Sequence, residues 1–320
     1  MKISEIVKNA ETIGISGHTR PDGDCIGAAL GLYLYLKKKM PEVTIHVFLE
    51  KPPEVFSCLA GFSEIKTDFK SDIGSYDAFF ALDTAKDRTG KAEKHFDRAK
   101  LKINIDHHVS NSGTGDINII HPEINSTCEV LFEQLDDLSG LDEEIAKALY
   151  LGIVHDTGVF RFGGTTPRTL EVAGILLGYG FDYVKLINDT YYEKTYIQNQ
   201  ILARSLLESI IFMDGRCIVC CLSQKILEFY GIEPGDLEGI VNQLLITKGV
   251  ECAIFMHQTK NLEYKVSLRS KSTIDVSQIA KFFGGGGHLR AAGVTMKGTF
   301  HDIVNNISYH IEEQFKANEL

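Results

Sequence analysis

The amino-acid sequence predicts an α/β protein: an N-terminal, mostly parallel sheet flanked by helices, a helical linker, and a smaller C-terminal α/β domain. Two observations support this prediction. In the first half of the chain, short apolar segments alternate with segments of helical periodicity, which is typical of parallel strands joined by crossover helices. The length of 320 residues is also sufficient for two hydrophobic cores.

The elements of the first half can be placed from apolar patterning and helix caps. Strands are expected over residues 12–18, 42–50, 76–83 and 101–106. Helices are expected over residues 24–39, 126–138, 142–156 and 166–180. A more polar helical segment follows, and after Ser209 strand-like segments dominate. We therefore predict domains over residues 1–185 and 209–320, with a linker over residues 186–208.

Composition limits the class of function. The net charge of −10 argues against long nucleic acid as the main partner, because binding a polyanion requires a broad basic face. A small phosphorylated ligand needs only a local positive pocket and stays compatible with this charge. No apolar segment approaches the ~20 residues of a membrane span, and the N-terminus does not resemble a signal peptide. We expect a cytoplasmic protein that does not bind membranes.

Polar side chains follow several predicted strands at the positions where ligands bind in parallel α/β sheets, beyond the carboxyl ends of the strands. The residues concerned are His18, Asp22, Asp24, Asp83, Asp106, His107, His108 and, at the end of a helix, Asp156. One charged residue at a strand end is usually solvated. Several successive elements that each supply such a residue predict a site.

The residue types favour one kind of chemistry. Carboxylates and imidazoles without thiolates suit Mn²⁺ or Mg²⁺, and histidine favours Mn²⁺. Asp22, Asp24, Asp83 and Asp156 supply four negative charges, which match two divalent cations. Without metal, four crowded carboxylates would repel one another and raise their own pKa values. A pair of cations ~3.5–4 Å apart is suited to phosphoryl displacement.

The residues also resemble a known family. HTRPDGDCIG (18–27), LDT (82–84), DHH (106–108) and LGIVHDTG (151–158), in this order, resemble the four motifs of the DHH phosphoesterase family. GGGGHLRAAG (284–293) resembles the glycine-histidine motif of the DHH-associated C-terminal domain. These motifs span nearly the whole chain. Its size and layout are most similar to the bifunctional oligoribonucleases (nanoRNases) that also remove the 3′-phosphate of pAp.

The resemblance implies two Mn²⁺ ions per active site, with Mg²⁺ or Co²⁺ as alternatives. The implied ligands are His18 and Asp22 for one ion, and Asp24, His107 and Asp156 for the other. Asp83 is implied to bridge both ions. His155 precedes Asp156, but the family pattern places the ligand at the aspartate, so we interpret His155 as a packing or surface residue.

Three further residues of the first domain have roles that depend on the resemblance. His108 is implied to face the substrate phosphate, and Asp106 to hold an imidazole through a hydrogen bond. For Asp106, a simple strand cap remains an alternative. Arg88 is a candidate phosphate contact, as is Arg20, although an ordinary surface salt bridge is an equal alternative for both.

The C-terminal domain supplies candidate substrate contacts. The glycine run is expected to join a helix to a tight loop whose N–H groups face an anion. His288 and Arg290 are expected near a helix start, where they would add donors and charge. Arg269 corresponds to a family arginine that contacts nucleotide. The predicted substrate-binding residues of this domain are Arg269, Gly285, Gly286, Gly287 and His288.

The function implied by the resemblance is hydrolysis of short oligoribonucleotides or linear dinucleotides such as pApA and pGpG to 5′-mononucleotides, together with removal of the 3′-phosphate of pAp. A hydroxide between the two metals would attack phosphorus in line. Long duplex nucleic acid is not expected as a partner, and a homodimer is compatible with the sequence. Three alternatives stay open, namely a single-strand DNA exonuclease of the RecJ type, an inorganic pyrophosphatase and a non-catalytic nucleotide-binding sensor.

Overall fold

The structure is a computed structural model that describes residues 2–136 and 138–318. The chain divides into two compact units, Met1–Glu193 and Lys194–Leu320. Each unit contains its own sheet and its own hydrophobic core. The predicted domain limits at residues 185 and 209 stay predictions. Among the helices described, none combines the length and apolar character that a membrane span requires.

A five-stranded, all-parallel sheet forms the centre of the first unit, with strand order β2-β1-β3-β4-β5. Its strands are β1 (Thr12–Ser16), β2 (Thr44–Phe48), β3 (Ala78–Leu82), β4 (Leu101–Asp106) and β5 (Ile117–Ile120). The sequence predicted the first four. It did not predict β5, whose four residues carry too little periodicity. This strand order is that of a doubly wound fold, in which ligands bind at the switch point between β1 and β3.

Helices cover both faces of this sheet, as predicted. They are α1 (Ile3–Val7), α2 (Gly23–Lys39), α3 (Glu93–Arg98), α4 (Thr127–Gln134), α5 (Glu143–Asp156), α6 (Pro167–Leu177) and α7 (Tyr183–Ile187). Successive strand residues point to opposite faces. Phe80 therefore joins the core formed with α2, α4 and α5, whereas Phe79 packs on the other face against Phe96 of α3.

The close contact between α2 and α5 positions two of the predicted ligands. Asp22 caps α2 by accepting a hydrogen bond from the Cys25 N–H at 3.1 Å. A Cβ added at Gly27 would lie 2.5 Å from the Ala148 carbonyl oxygen, so only glycine permits this helix spacing. Asp24 lies in the first turn of α2, and Asp156 is the last residue of α5.

The second unit is a six-stranded mixed sheet with strand order β10-β11-β9-β8-β7-β6. Its strands are β6 (Ile210–Phe212), β7 (Cys217–Leu222), β8 (Cys252–Lys260), β9 (Glu263–Ser270), β10 (Gly286–His288) and β11 (Ala291–Lys297). Its helices are α8 (Tyr196–Leu207), α9 (Gln224–Tyr230), α10 (Ile240–Leu245), α11 (Val276–Phe282) and α12 (Phe300–Asn318). The predicted smaller α/β domain is confirmed.

The glycine run differs from its predicted conformation. No helix starts near His288 in the described structure, because Gly286–His288 is a strand that pairs antiparallel with β11 and turns into it through residues 289 and 290. The Gly285 N–H donates to the Ala280 carbonyl at 2.8 Å, so it is not available to an anion. A Cβ at Gly285 or Gly287 would lie 2.3 or 2.4 Å from backbone oxygens of the facing strand. These glycines permit close strand contact. The predicted helix start near His288 was wrong, whereas the predicted anion contact at Gly286 and Gly287 stays a prediction.

Candidate metal centre

Three strands of the parallel sheet bring the predicted residues to one edge. β1 ends at Ser16, β3 at Leu82 and β4 at Asp106, and the carboxyl ends of parallel strands share one edge of a sheet. His18, Asp83 and His107 follow these three ends. β1 and β3 are neighbours at the switch point, so His18 and Asp83 meet in the space between them.

Asp83 lies at the centre of the cluster. Its Oδ2 is 3.2 Å from His18 Nε2, and its Oδ1 is 3.5 Å from His107 Nε2. Asp22 Oδ1 lies 3.5 Å from the same His18 nitrogen. The side chains of His18 and Asp83 are buried, whereas Asp22 is 60% exposed. Asp83 has a φ of 58°, a left-handed conformation that non-glycine residues rarely adopt.

A second group of potential ligands surrounds His107. Its Nε2 is 3.0 Å from Asp156 Oδ2 and 4.0 Å from Asp24 Oδ2. Ligand atoms of Asp24, His107 and Asp156 all lie within 4.8 Å of one another. Asp83 therefore lies between one imidazole–carboxylate group and another, and the assignment of these groups to two metal ions stays a prediction.

Backbone carbonyls orient the two predicted histidine ligands in the same way. His18 Nδ1 donates to the Thr19 carbonyl at 2.8 Å, and His107 Nδ1 donates to the Ile124 carbonyl at 3.3 Å. In each ring, Nε2 then faces the carboxylates. Metal-binding histidines typically use their second nitrogen in this manner, because the hydrogen bond fixes the tautomer and the ring orientation.

The N-terminus of α4 contributes contacts that the sequence did not predict. The N–H groups of Thr127 and Cys128 donate to the two oxygens of Asp24, at 2.6 and 3.0 Å. The Thr127 hydroxyl donates to Asp83 Oδ1 at 3.0 Å. The sequence signal was the cap of this helix, where Ser126 Oγ accepts from the Glu129 N–H. A cap marks the start of a helix, but it does not indicate which carboxylates lie opposite.

Asp106 supports the DHH segment rather than only ending a strand. Its Oδ1 accepts hydrogen bonds from the N–H groups of His107 and His108, at 2.7 and 3.1 Å. The same oxygen accepts from His108 Nδ1 at 2.7 Å. Asp106 is completely buried, so this carboxylate fixes the orientation of the His108 ring.

Burial and close contacts between carboxylates and imidazoles shift the pKa values of the cluster residues. Burial alone would lower the pKa of His18, but hydrogen bonds to Asp22 and Asp83 outweigh it and raise this pKa to about 11. Burial would likewise lower the pKa of His107, but the hydrogen bond to Asp156 and the nearby carboxylates raise this pKa to about 10. Burial raises the pKa of Asp156 to about 6, and burial with the neighbouring Asp83 charge raises that of Asp24.

The donor set fits divalent cations. Carboxylate oxygens and imidazole nitrogens are ligands that Mn²⁺ and related ions accept, and three overlapping groups of such atoms occur here within 4.8 Å. One of these groups contains the Cys25 thiol together with His18 and Asp83. The sequence analysis did not predict Cys25 as part of the site. Burial raises the pKa of this thiol, so the metal-free site holds it protonated.

Other predicted residues lie outside this cluster. Arg88 and Arg20 are exposed, and the Arg88 carbonyl accepts from the Thr19 N–H at 2.8 Å, which ties it to the segment after His18. His155 packs against Phe56, and its Nε2 lies 3.1 Å from the Thr190 hydroxyl. These are the contacts of a packing residue.

Arg269 and His288 belong to the second unit. Arg269 Nε donates to Asn242 Oδ1 at 3.1 Å, while Arg290 Nη1 donates to the Ile274 carbonyl at 2.7 Å. Ala291 pairs with Arg269 on one side and with His288 on the other. Directly paired residues point to the same face, so the Arg269 and His288 side chains leave the sheet on one face, from strands whose backbones lie about 10 Å apart.

The strand order and this carboxylate–imidazole cluster at the switch point define a class of protein: the chain belongs to the DHH family. The DHH family N-terminal domain matches residues 12–153, and the DHHA1 domain matches residues 215–317. The bifunctional oligoribonuclease and PAP phosphatase NrnA of Thermus thermophilus is 32% identical over 92% of this chain and 88% of that protein.

Solved structures agree with the fold. An exopolyphosphatase-related protein from Bacteroides fragilis superimposes with a TM-score of 0.89 at 26% identity, covering 97% of this chain and 94% of that chain. RecJ of Thermus thermophilus, solved with Mn²⁺, gives a TM-score of 0.54 at 13% identity, covering 98% of this chain and 53% of RecJ. The RecJ likeness concerns the fold alone.

Proposed function

We propose that this protein is a divalent-metal-dependent phosphoesterase. It hydrolyses short oligoribonucleotides and linear dinucleotides such as pApA and pGpG to 5′-mononucleotides, and it removes the 3′-phosphate of pAp. The observation that carries the proposal is the Asp83 carboxylate, whose two oxygens face His18 and His107 at 3.2 and 3.5 Å. The NrnA relative, whose name gives both activities, supports the substrate class.

The cluster is proposed to bind two ions, with Mn²⁺ favoured because imidazoles join the carboxylates, and with Mg²⁺ or Co²⁺ as alternatives. The proposed ligands are His18 and Asp22 for one ion, Asp24, His107 and Asp156 for the other, and Asp83 for both. When bound, two such cations supply a hydroxide nucleophile at neutral pH and stabilise charge on the phosphoryl oxygens.

His108 and Asp106 are proposed to act on the substrate as a pair. Asp106 accepts a hydrogen bond from His108 Nδ1 at 2.7 Å and fixes the orientation of the ring. When both ring nitrogens carry a proton, Nε2 can donate to a phosphoryl oxygen and balance the charge that develops there. A ring that is fixed before the substrate arrives loses less entropy when it makes this contact.

The second unit is proposed to bind the remaining phosphate or the nucleoside. Arg269 and His288 supply a guanidinium and an imidazole on one face of the sheet, and Gly286 and Gly287 leave the other two positions of β10 without side chains. A guanidinium can grip a phosphate through two hydrogen bonds or stack on a base. Arg88 is the proposed phosphate contact in the first unit.

A substrate panel tests the activity. Protein dialysed against chelator and then supplied with Mn²⁺ is offered pAp, pApA, pGpG, RNA of increasing length, long single-stranded DNA, duplex DNA and pyrophosphate. We expect turnover of pAp and the shortest RNAs, little turnover of duplex, and loss of activity without metal. Sole turnover of long single-stranded DNA or of pyrophosphate would favour one of the alternative enzymes. Nucleotide binding without turnover would favour the sensor.

The Asp83→Ala variant tests the mechanism, because it removes the carboxylate that both metal groups share. It should lose activity on RNA and on pAp together. The matched control is Asp72→Ala, which alters an exposed aspartate outside the cluster and should retain wild-type turnover. Near-wild-type turnover of pAp by Asp83→Ala in Mn²⁺ would contradict the proposal.

A second pair of variants tests the substrate contacts. Arg269→Ala should raise KM for pAp and short RNA with less effect on Mn²⁺ affinity. Lys265→Ala is the control, since Lys265 is a cation on the same strand and the same face, four residues away. Equal KM values for the two variants would argue against a substrate role for Arg269. The proposed homodimer is a separate question, which analytical ultracentrifugation answers.

A further inference from the structure

A fully buried asparagine, Asn104, lies in β4 directly beside the turn that carries Asp83. Its Nδ2 donates to the carbonyls of Ala81 and Thr84, at 3.0 and 2.7 Å. These two carbonyls flank Asp83, whose left-handed backbone conformation (φ 58°) is one that non-glycine residues rarely adopt. Since the amide binds the chain on both sides of Asp83, it stabilises the turn that points this carboxylate into the cluster.

A second buried asparagine continues the contact toward the DHH segment. Asn111 Nδ2 donates to Asn104 Oδ1 at 3.0 Å and to Asp106 Oδ2 at 2.6 Å. Its own Oδ1 accepts from the Gly113 N–H at 2.9 Å. Asp106 in turn accepts from His108 Nδ1, so an unbroken series of hydrogen bonds joins the turn at Asp83 to the ring of His108.

We propose that Asn104 and Asn111 are positioning residues that fix the Asp83 carboxylate and the His108 ring relative to each other. The inference rests on the proposed function, because it assigns these two groups to metal and to substrate. Neither asparagine touches the reacting atoms. Each acts through another residue, Asn104 through the backbone at Asp83 and Asn111 through Asp106.

The chemistry of the side chain explains why an amide is required. The Asn104 donor faces two carbonyl oxygens, and its acceptor faces the Asn111 amide and the Thr114 hydroxyl, at 3.0 and 3.3 Å. An aspartate of the same shape would place a buried negative charge against the carbonyls of Ala81 and Thr84, and an alanine would remove the side-chain donor from both. Buried groups that lose their partners are costly, so either change should loosen the turn at Asp83.

The two residues should affect different measurements. Asn104→Ala frees the turn at Asp83, and we expect Mn²⁺ affinity to fall roughly 10–100-fold, as is typical when a residue behind a metal ligand is removed. Asn111→Ala frees Asp106 and His108, and we expect kcat on pAp at saturating Mn²⁺ to fall at least about tenfold, as loss of a charge-stabilising donor does. Its Mn²⁺ affinity should stay close to the wild-type value.

Mn²⁺ binding is measured on metal-free protein from the electron paramagnetic resonance signal of the free ion, independently of activity. Asn118→Ala is the control, because the exposed Asn118 lies in the neighbouring strand β5 and its side chain bonds to the backbone of Gly115 outside the cluster, so it should change neither measurement. If Asn104→Ala does not fold, Asn104→Ser, which keeps one donor, replaces it and should weaken Mn²⁺ binding less.

The separation of the two effects supports the inference. It is overturned if both variants lose thermal stability while Mn²⁺ affinity and kcat stay at wild-type values, or if both weaken Mn²⁺ binding equally. Failure of the proposed function would look different. Wild-type protein would then turn over no member of the substrate panel, while the effect of Asn104→Ala on Mn²⁺ binding would still be measurable.

Discussion

Thr127 contacts Asp83 through its side chain and Asp24 through its backbone. The hydroxyl donates to Asp83 Oδ1 at 3.0 Å, and the N–H donates to Asp24 Oδ2 at 2.6 Å. Thr127 is the first residue of α4, so both carboxylates lie at the positive end of this helix. A single residue that no motif singles out thus contacts two of the most buried carboxyl groups among the described residues.

Replacement of this hydroxyl should weaken metal binding. Thr127→Val keeps the shape of the side chain but leaves Asp83 Oδ1 without its donor, so the carboxylate can rotate away from the ligand position. We expect Mn²⁺ affinity to fall by up to roughly 10–100-fold, as seen for residues that support metal ligands. Thr127→Ser keeps the hydroxyl and should bind Mn²⁺ like wild type. Calorimetric titration that finds Val and Ser variants equal would contradict the role of the hydroxyl.

The sequence predicts residues whose position follows from the ends of strands, but not residues whose role depends on partners from other elements. His18, Asp83 and His107 could be expected at one site because the carboxyl ends of parallel strands share one edge, whatever the details of packing. Thr127 and Asn104 could not, since their roles depend on partners supplied by other elements, such as Asp24 for Thr127. The predicted helix start near His288 was wrong for a related reason. A sequence of glycines permits both a tight anion loop and a close strand pair, and only the facing strand decides between them.

Mn²⁺ affinity should increase with pH. The raised pKa values of His18 and His107, about 11 and about 10, mean that the metal-free site holds both imidazoles protonated at neutral pH. A metal ion must displace these protons, and below the Asp156 pKa of about 6 it must displace another. Titrations at pH about 6 and about 8 should therefore differ, with tighter binding and fewer protons released at the higher pH. An affinity independent of pH would contradict protonation of the metal-free cluster.

Glu129 carries a buried carboxyl whose Oε2 has no hydrogen-bond partner among the described residues. Burial raises the pKa of Glu129 in the folded protein. The protonated carboxyl therefore contributes stability at pH values below the pKa of the unfolded chain, and this contribution is lost as pH rises through the pKa of the folded protein. Glu129→Gln should therefore increase the free energy of unfolding at pH about 8, by about 1–3 kcal/mol, with a smaller effect near pH about 4.5. Urea unfolding measures the free energy of unfolding of Glu129→Gln and of the exposed control Glu42→Gln at both pH values. A Glu129→Gln variant that is less stable than wild type at the higher pH would contradict the prediction.

Asp77 provides the opposite pH dependence, at the end of the sheet away from the cluster. Its carboxylate accepts from Lys100 Nζ at 2.7 Å and, through Oδ2, from the N–H groups of Glu11 and Thr12, both at 3.0 Å. The Lys100 bond is the main cause that lowers its pKa to about 2. The carboxylate therefore contributes stability at pH values above 3.8, its pKa in the unfolded chain. This contribution is lost as pH falls through about 2, its pKa in the folded protein.

Asp77→Asn tests this contribution without touching the metal centre. At neutral pH the free energy of unfolding should fall by about 1–3 kcal/mol, because the charge-assisted bond to Lys100 and part of the strand cap are lost. The difference from wild type should shrink as pH falls from about 6 to about 3, where the wild-type carboxylate begins to protonate. Mn²⁺ affinity should not change, since β1 and β3 start here and the cluster lies at their other ends. A stability difference that is the same at both pH values would show that the charge of Asp77 contributes nothing, and that only its hydrogen-bond geometry matters.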